Sequence, residues 1–265
     1  MSRSGYYAWI DRPQSNRVRN NEDLLEKIRI IYAKSRKTYG APRIHAALKR
    51  EGVRCGRNRV ARLMRRDNIV PKPHKRYMQS TALKAQDVTA DNIVQRRFNV
   101  SKPNKIWASD ITCFWTKSGW FYLAVVIDLY SRKVIGWSMA GSMAESLPKD
   151  ALTMALLNRR PQNRLIHHSD RGAQYTSYNF KQELENNNML RSLSRKGDCY
   201  DNAVVESFFK TLKAELNPEE YFTTQKEARI RLFDYIEVFY NRQRLHSALG
   251  YMSPQEFEAK TLPLT

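Results

Sequence analysis

The chain has 265 residues, an ordinary apolar content of 42% and a formal net charge of +20. This length allows one large domain or two smaller ones, and the composition excludes a disordered protein. The longest central stretch without strongly polar residues is 119–127, far below the roughly 20 residues of a membrane span. Because the first residues also lack the apolar segment of a secretion signal, we expect a cytoplasmic protein with no membrane partner.

The positive charge is concentrated in the first part of the chain. Residues 1–100 hold 24 Lys and Arg against 8 Asp and Glu, whereas residues 101–265 hold 22 against 18. Such an excess costs self-repulsion, and the commonest polyanion that compensates it is nucleic acid. The three cysteines are widely spaced, which implies neither a zinc site nor a disulfide framework.

Three helices are predicted before residue 72. Apolar residues recur at helical spacing in NEDLLEKIRIIYAK (21–34), APRIHAALKREG (41–52) and RNRVARLMRRDN (57–68). The second and third are short, and the tight turn GVRCG separates them, which is typical of a helix-turn-helix domain. The alternative is a plain helical bundle with a solvated basic face.

The arginines of the third helix are the predicted DNA contacts of residues 1–72. Val60, Leu63 and Met64 point to the core of this region, which leaves the other faces of the helix basic. A recognition helix enters the major groove, where Arg reads guanine edges or grips phosphates. The candidate DNA-binding residues on this helix are Arg57, Arg59, Arg62, Arg65 and Arg66.

Residues 73–98 are basic, polar and weakly periodic, which predicts a linker with room for one helix. Strand patterns follow, and after them strands alternate with helices. The predicted strands are 105–114, 120–130, 134–140, 164–169 and 190–194, and the predicted helices are 147–158, 178–187 and 202–216. This order indicates an α/β fold in which helices pack on a mixed sheet.

Three acidic residues lie in unusual positions. Asp110 is inside a strand, which disfavours Asp, Asp170 directly follows a strand, and Glu206 is within a helix. At about 100° per residue, Glu206 points away from the Val, Phe and Leu side of its helix, with Lys210 and Lys213 beside it. Singly, the three acids have ordinary explanations as an edge-strand charge, a turn cap and a surface ion-pair partner.

Taken together, the three acids predict a metal site. Carboxylates brought together repel one another unless a cation lies between them, and Mg²⁺ prefers oxygen ligands. Two such ions about 3.5–4 Å apart activate an attacking oxygen and stabilise the leaving oxygen of a phosphodiester. Combined with a basic DNA-binding region, this site predicts phosphoryl transfer on DNA.

The stretch HHSDRGAQYT (167–176) also raises a zinc site and a serine nucleophile as alternatives. No further ligand pair accompanies His167 and His168 at usable spacing, and Ser169 lacks a nucleophile elbow. On a strand the two histidines point in opposite directions, and the parity favours His168 as a supporting group near Asp170. The turn at Gly172 is expected to leave Asp170 exposed.

Three further features are interpreted more simply. Asp128 ends a predicted strand and is expected to have a turn role. The segment SRKGDCY (194–200) is predicted to be a mobile loop at the active site. The role of His246 stays open.

The spacing and its flanking motifs resemble a known family. The order is Asp110, Asp170 and Glu206, with 35 residues between the last two, and the flanks read WASDIT, IDLYSRKVIGW, HSDRGAQYTS and DNAVVESFFKTLKAE. With YNRQRLHSALGYMSP, TYGAPRIHAALKREG and SRSGYYAW, these motifs resemble the second reading-frame product (OrfB) of insertion-sequence-3 family transposases. The resemblance covers nearly the whole chain.

The resemblance implies a retroviral-integrase-like, ribonuclease-H-like core with a five-stranded sheet. Asp110, Asp170 and Glu206 would bind Mg²⁺ or Mn²⁺, as two ions. Water would cut one strand at a transposon end, and the exposed 3′-OH would attack target DNA without a covalent enzyme intermediate or ATP. Lys213 matches a basic position expected to contact the DNA end, and Lys210 is a further candidate.

The family pattern also predicts partners and boundaries. Expected partners are the terminal inverted repeats, target DNA, a second copy of the chain on DNA and the upstream reading-frame (OrfA) product, joined as a frameshift fusion. The expected location is the bacterial cytoplasm, on the nucleoid. The predicted domains are 1–72 (helix-turn-helix), 73–98 (linker), 99–222 (catalytic core) and 223–265 (helical extension).

Two other functions remain open on the sequence. One is a non-catalytic DNA-binding protein that occupies the inverted repeats and regulates transposition. The other is a structure-specific ribonuclease-H-like nuclease, which would cut hybrid or branched substrates without preferring transposon ends.

Overall fold

The computed structural model describes residues 2–10, 14–72, 91–162, 164–195, 198–216 and 222–261. By contacts the chain divides into two units, Met1–Lys72 and Pro73–Thr265, which are described separately. Most of the predicted linker and Gly197 of the predicted mobile loop lie outside the described residues. Throughout the described part, every helix is too short or too polar to cross a bilayer.

The N-terminal unit is helical. Its helices are α1 (Arg3–Ile10), α2 (Asn16–Lys34), α3 (Ala41–Arg50) and α4 (Arg57–Arg66). The predicted apolar stripes pack α2, α3 and α4 together, and Ile28, Ile44 and Val60 are fully buried between them. The turn between α3 and α4 begins at Gly52, whose φ of +78° suits glycine. The predicted three-helix arrangement is therefore confirmed, with α2 beginning five residues earlier than expected.

The C-terminal unit is built on one mixed five-stranded sheet. Its strands are β1 (Ile106–Thr116), β2 (Gly119–Asp128), β3 (Val134–Ala140), β4 (Leu165–Ser169) and β5 (Met189–Leu193). Their order is β3-β2-β1-β4-β5; β1, β2 and β3 pair antiparallel, while β4 pairs parallel to β1 and β5 parallel to β4. The sequence predicted each strand to within a few residues.

Helices cover both faces of this sheet. They are α5 (Ser146–Arg159), α6 (Ala173–Thr176), α7 (Tyr178–Asn186), α8 (Ala203–Glu215), α9 (Gln225–Phe233) and α10 (Pro254–Thr261). Trp107 and Val126 face α5 and α7 in one apolar core. Because side chains alternate along a strand, Ala108 and Asp110 face the other side, where α8 packs on β1.

Gly136 explains how closely α5 approaches the sheet. A Cβ atom at this position of β3 would lie 2.2 Å from the carbonyl oxygen of Ala151 and 2.7 Å from the backbone nitrogen of Ala155. Real side chains do not approach backbone so closely, and glycine is therefore required for this close packing.

The C-terminal helices are joined to the sheet by buried polar bonds. Asn241 covers the outer edge of β3, since its side chain accepts a hydrogen bond from the Val134 nitrogen (3.0 Å) and donates one to the Val134 oxygen (2.9 Å). Arg244 donates to Glu215 at the end of α8 at 2.7 and 2.8 Å, and the Tyr235 hydroxyl donates to the same carboxylate at 2.8 Å. The motif YNRQRLHSALGYMSP thus has a structural role.

The Glu215–Arg244 pair yields a stability prediction. Both side chains are buried, and replacing Glu215 with Ala leaves a guanidinium without its counter-charge in the core. We expect Glu215→Ala to lower the free energy of unfolding by about 3–5 kcal/mol, measured by urea denaturation followed by circular dichroism. Glu185→Ala, which breaks an exposed pair with Lys181, should cost less than about 0.5 kcal/mol. Equal losses would contradict the assigned role of the buried pair.

Candidate active site

The pairing of two neighbouring strands brings Asp110 and Asp170 side by side. Ala108 of β1 is in register with His168 of β4, and the two strands are parallel. Two residues further along each strand direction stand Asp110 and Asp170, which therefore lie level with each other on the same face. Since β1 has strand neighbours on both sides, Asp110 is not an edge-strand charge.

Each of these carboxylates is held by the backbone that follows it. Asp110 Oδ1 accepts from the Ile111 nitrogen at 2.7 Å, and Asp170 Oδ1 accepts from the Gly172 nitrogen at 2.9 Å. Asp170 is half-buried, so the predicted exposure at the Gly172 turn is only partial. Gly172 has a φ of −59°, and what makes glycine useful there is space, since a Cβ would lie 3.0 Å from Asp170 Oδ1.

Glu206 comes to the same face from α8. As the helical spacing predicted, Val205 and Phe208 are buried and Glu206 lies on another side of the helix, half-buried. Lys210 is exposed, and its charge lowers the pKa of Glu206 against the stronger effect of burial, which raises it. Asp170 raises that pKa as well, so the two carboxylates are close enough to repel.

Lys213 lies inside the site and does not project into solvent beside Glu206. Its ammonium is 5.5 Å from the centre of the Phe114 ring on β1, a cation–π contact. Burial lowers the pKa of Lys213, while Cys113 and Asp110 raise it. The helical wheel predicted Lys213 beside Glu206, and it could not show that Phe114 of β1 packs against the Lys213 ammonium.

The electrostatics identify Asp110 as the centre of the acidic cluster. Burial raises the pKa of Asp110 well above its ordinary value, and the charges of Asp170 and then Glu206 raise it further. The Ile111 amide and the ammonium of Lys213 oppose this rise. All three carboxylates therefore repel one another in pairs, which is costly in a partly buried site.

This set of donors suits a hard divalent cation. The three groups offer only carboxylate oxygens, the ligands of Mg²⁺ and Mn²⁺, and a cation would relieve the repulsion that raises their pKa values. In the part of the chain that the structure describes, no three His, Cys, Asp or Glu side chains converge closely enough to hold an ion as they stand.

His168 is buried and hydrogen-bonded to two neighbouring segments, so it is not available as a metal ligand. Its Nδ1 bonds Ser192 Oγ at 2.9 Å, and its Nε2 donates to the carbonyl oxygen of Asp201 at 2.9 Å. Both ring nitrogens are therefore hydrogen-bonded, and the bond to Asp201 connects β4 to the residues before the Glu206 helix. A supporting role of His168 near Asp170 stays a prediction. His167 points to the opposite face, where Nε2 bonds Ser109 Oγ at 2.8 Å and burial lowers its pKa to about 3.

Asp201 and Asn202, which directly precede α8, hold the start of the Glu206 helix, and neither was selected as a site residue from the sequence. The buried carboxylate of Asp201 accepts bonds from Arg195 (3.0 Å), Arg96 (3.0 Å) and Asn92 (2.7 Å). The neighbouring Asn202 donates from Nδ2 to the Ser109 oxygen at 3.1 Å, directly before Asp110. An Asp-Asn pair before a helix is typical of a cap, and the bonds to Asn92, Arg96 and Ser109, 93 to 109 residues away, have no local signal in the sequence.

The segment 91–98, assigned to the linker from its composition, packs on the sheet of the C-terminal unit. Val94 is buried, and the backbone nitrogens of Ile93 and Val94 approach Ser192 Oγ of β5 at 3.0 and 3.4 Å.

Asp128 is confirmed in its turn role, since its carboxylate accepts from the backbone nitrogens of Asn104 and Tyr130, both at 3.0 Å.

The predicted DNA-binding arginines separate into two kinds. Four are exposed on α4: Arg57, Arg62, Arg65 and Arg66. Arg59 is half-buried, and its guanidinium donates to Asn21 Oδ1 at 2.9 Å and to the Asn20 oxygen at 3.1 Å. Arg59 therefore braces α4 against α2.

Comparisons with known proteins agree with this architecture. Family profiles described as "Integrase core domain" match residues 100–199 and 206–262, and one described as "HTH-like domain" matches residues 19–77. A chain in the cryo-EM structure of the simian T-cell lymphotropic virus intasome in complex with PP2A regulatory subunit B56 gamma aligns with a TM-score of 0.50. That alignment has 18% identity and covers 83% of this chain and 72% of that chain. The fold is an integrase-like, ribonuclease-H-like core preceded by a helix-turn-helix-like region.

Curated relatives match over nearly the full length. The transposase InsF for insertion sequence IS3A of Escherichia coli (strain K12) is 40% identical over 264 residues, covering 99% of this chain and 92% of that protein. The insertion element IS600 uncharacterized 31 kDa protein of Shigella sonnei is 39% identical over 260 residues, covering 98% and 96%. The chain belongs to the insertion-sequence-3 family of transposases.

Repulsion at Asp110 yields a stability prediction with a defined pH dependence. A raised pKa in the folded state means that stability is greatest below the unfolded pKa of about 3.9 and is lost as the pH rises through the folded pKa. Without added divalent metal, we expect Asp110→Asn to raise the melting temperature at pH 8 by about 2–4 °C, the shift that ~1 kcal/mol gives in a domain of this size.

Thermal unfolding by calorimetry measures this effect. The difference between wild type and Asp110→Asn should shrink as the pH falls, because the wild-type carboxyl then becomes neutral too. Asp150→Asn removes an exposed carboxylate of α5 and should leave the melting temperature nearly unchanged. A less stable Asp110→Asn variant at pH 8 would show that repulsion does not dominate at this position.

The bonds of Asp201 yield a prediction about local order. Asp201→Ala removes the shared acceptor of Arg96, Arg195 and Asn92, so we expect faster hydrogen exchange in α8 and in residues 91–98, with β1 and β2 unchanged. Asp198→Ala is the matched control, because Asp198 is a more exposed partner of the same two arginines. Equal hydrogen exchange in the two variants would contradict the role of Asp201 as the residue that positions α8.

Proposed function

We propose that this chain is the catalytic transposase of its element, a polynucleotidyl transferase that uses Asp110, Asp170 and Glu206. It cleaves one DNA strand at the transposon ends and joins the resulting 3′-OH to target DNA. What supports this function most directly is the grouping of the three carboxylates on one face of an integrase-like core, where Asp170 and Glu206 raise the pKa of Asp110 and Asp170 raises the pKa of Glu206. Membership of the transposase family supports the same reaction.

Both steps exchange one bond to phosphorus for another. In the first, a water oxygen bonds to phosphorus, the bond to the 3′ oxygen breaks, and a proton ends on that oxygen to give a free 3′-OH. In the second, this 3′ oxygen bonds to a target phosphorus and displaces a target 3′ oxygen. The first step converts one phosphodiester to a 5′-phosphate monoester and a 3′-OH, and the second forms one phosphodiester for the one it breaks, with the proton of the attacking hydroxyl passing to the displaced 3′ oxygen. Neither step needs ATP or a covalent enzyme intermediate.

Asp110, Asp170 and Glu206 would hold Mg²⁺, with Mn²⁺ as a substitute and two ions as the proposed number. When bound, the metal supplies Lewis acidity and lowers the pKa of the attacking oxygen's proton. Asp110 and Asp170 are fixed by backbone amides, so they present oxygens in set directions. Lys213, 5.5 Å from the Phe114 ring, is proposed to meet the DNA end beside them.

DNA is proposed as both substrate and template for assembly. The net charge of +20 suits a polyanion, and the exposed arginines of α4 together with Lys210 are the proposed contacts. The boundaries 1–72, 73–98, 99–222 and 223–265 stay predictions, and the bonds of residues 92–96 to Ser192 and Asp201 favour a core that begins by residue 91. A second copy of the chain on DNA and the upstream OrfA product, as a frameshift fusion, are the proposed partners in the bacterial cytoplasm.

Substitution of the triad tests the proposed chemistry. The chain fused to its upstream reading frame is incubated with a labelled duplex carrying the terminal inverted repeat, with Mg²⁺ or Mn²⁺ or with EDTA. We expect Asp110→Asn, Asp170→Asn and Glu206→Gln each to reduce nicking and joining by about 100-fold or more. This loss exceeds the roughly 10- to 100-fold that is typical when a residue that only supports a metal ligand is replaced. DNA binding should persist in all three variants.

Glu185→Gln, an exposed carboxylate on α7, is the control and should retain full activity. If the wild type binds the inverted repeats but never nicks them, the chain is the regulator that the sequence left open. If it cuts hybrid or branched DNA without preferring the ends, it is a structure-specific nuclease. Unchanged nicking in Asp110→Asn would overturn the catalytic assignment.

A further inference from the structure

The N-terminal unit carries a basic cleft between α2 and α4. Its volume is about 560 Å³, and it is lined by Arg17, Asn20, Asn58, Arg59 and Arg62. Arg17 and Asn20 belong to the beginning of α2, and the other three belong to the first half of α4. The cleft therefore depends on how these two helices pack.

All the residues that line the cleft are arginine or asparagine, and their aliphatic parts form much of its surface. Three arginines share this space, and among the residues that the structure describes no carboxylate lines it. Arg59 is fixed at the back, because its bonds to Asn21 Oδ1 (2.9 Å) and the Asn20 oxygen (3.1 Å) hold its guanidinium against α2. Arg17 and Arg62 are exposed and stand on opposite helices.

This arrangement costs stability unless an anion is present. The positive ends of the helix dipoles favour Asp or Glu in a first turn, yet the first turns of α2 and α4 contain no acidic residue and carry Arg17, Arg57 and Arg59 instead. Like charges held together in this way repel one another. An anion between the helices would reverse the sign of both effects.

The shape of the cleft favours a backbone phosphate over a base edge. Phosphates protrude from a duplex and enter a concave site, whereas base edges are recessed in the grooves and are reached by a convex helix. Arg binds phosphate in a two-pronged geometry, and the Asn20 and Asn58 amides add neutral donors. Arg59, held by α2, cannot extend into a groove.

We propose that this cleft binds one backbone phosphate of the duplex DNA on which the protein acts. Arg17 and Arg62 close on the phosphate from the two helices, and Arg59 forms the fixed wall behind it. The inference rests on the proposed function only in taking DNA as the ligand. It adds Arg17, Asn20 and Asn58 to the contact surface and moves Arg59 from base reading to support.

The test compares two double variants of the full chain. Arg17→Ala/Arg62→Ala removes the two exposed arginines of the cleft, and Lys27→Ala/Lys49→Ala removes two exposed charges elsewhere on α2 and α3. Binding to a duplex carrying the inverted repeat and to an unrelated duplex of equal length is measured by fluorescence anisotropy over a range of salt concentrations. Circular dichroism confirms that each variant is folded.

We expect the cleft variant to bind both duplexes more weakly by the same factor. The slope of log K against log salt should fall in magnitude by about 0.9, the value for one phosphate contact, and Arg17→Lys/Arg62→Lys should restore it because the charge returns. The control variant Lys27→Ala/Lys49→Ala should have nearly the same slope of log K against log salt as the wild type.

Two results would overturn the proposal. A loss confined to the inverted repeat would mean that these arginines read bases, and a loss no greater than that of the lysine control would mean that the cleft is not a DNA site. Nicking by the wild type is measured separately. A protein that does not nick but binds DNA through the cleft would contradict the proposed function alone, and a protein that nicks but does not use the cleft would contradict the cleft proposal alone.

Discussion

Parallel pairing of β1 with β4 is the constraint on which the C-terminal unit depends. The register that sets Ala108 opposite His168 also brings Asp110, within β1, level with Asp170, which directly follows β4. The resulting repulsion is built into the backbone, so the remaining structure has to tolerate it. Lys213 offsets part of it, and backbone amides bond one oxygen of each carboxylate. Such local strain is typical of a site shaped for a cation and not for the stability of the empty protein.

Ion pairs made by two buried carboxylates, Glu215 and Asp201, hold the two ends of α8 in place. Glu215 and Arg244 fasten the end of α8 to the C-terminal segment, while Asp201 fastens its beginning to Arg195, which follows β5, and to Arg96 in the segment before the core. The Glu206 helix is thus clamped at both ends by charge, and its middle packs through Val205, Phe208 and Leu212. Specific geometry is what such pairs contribute, since apolar residues of the same size would pack as well but allow more arrangements.

Regular patterns made most of the fold predictable, and contacts distant in sequence made the rest unpredictable. The aromatic and β-branched runs of β1 to β3 and the helical spacing of α2 to α5, α7 and α8 predicted these elements to within about five residues, whereas α1 and α6 were not predicted. The acidic triad stood out because an Asp in the middle of a strand has few other reasons to be there. The inward position of Lys213, the engaged nitrogens of His168 and the brace formed by Arg59 depend on which surface faces which. The partners of Asp201 lie up to 109 residues away, so the local chain shows only a cap.

The tether of residues 91–96 changes where the core begins. Asn92 and Arg96 supply two of the three side chains that bond the Asp201 carboxylate, although the integrase profile starts only at residue 100. A fragment cut at that profile boundary would keep every strand and all three acidic residues. Of the three side chains that bond the buried Asp201 carboxylate just before α8, such a fragment would keep Arg195 and lose Asn92 and Arg96. The smallest piece that preserves this anchor begins by residue 91, and a domain boundary read from sequence similarity alone removes it.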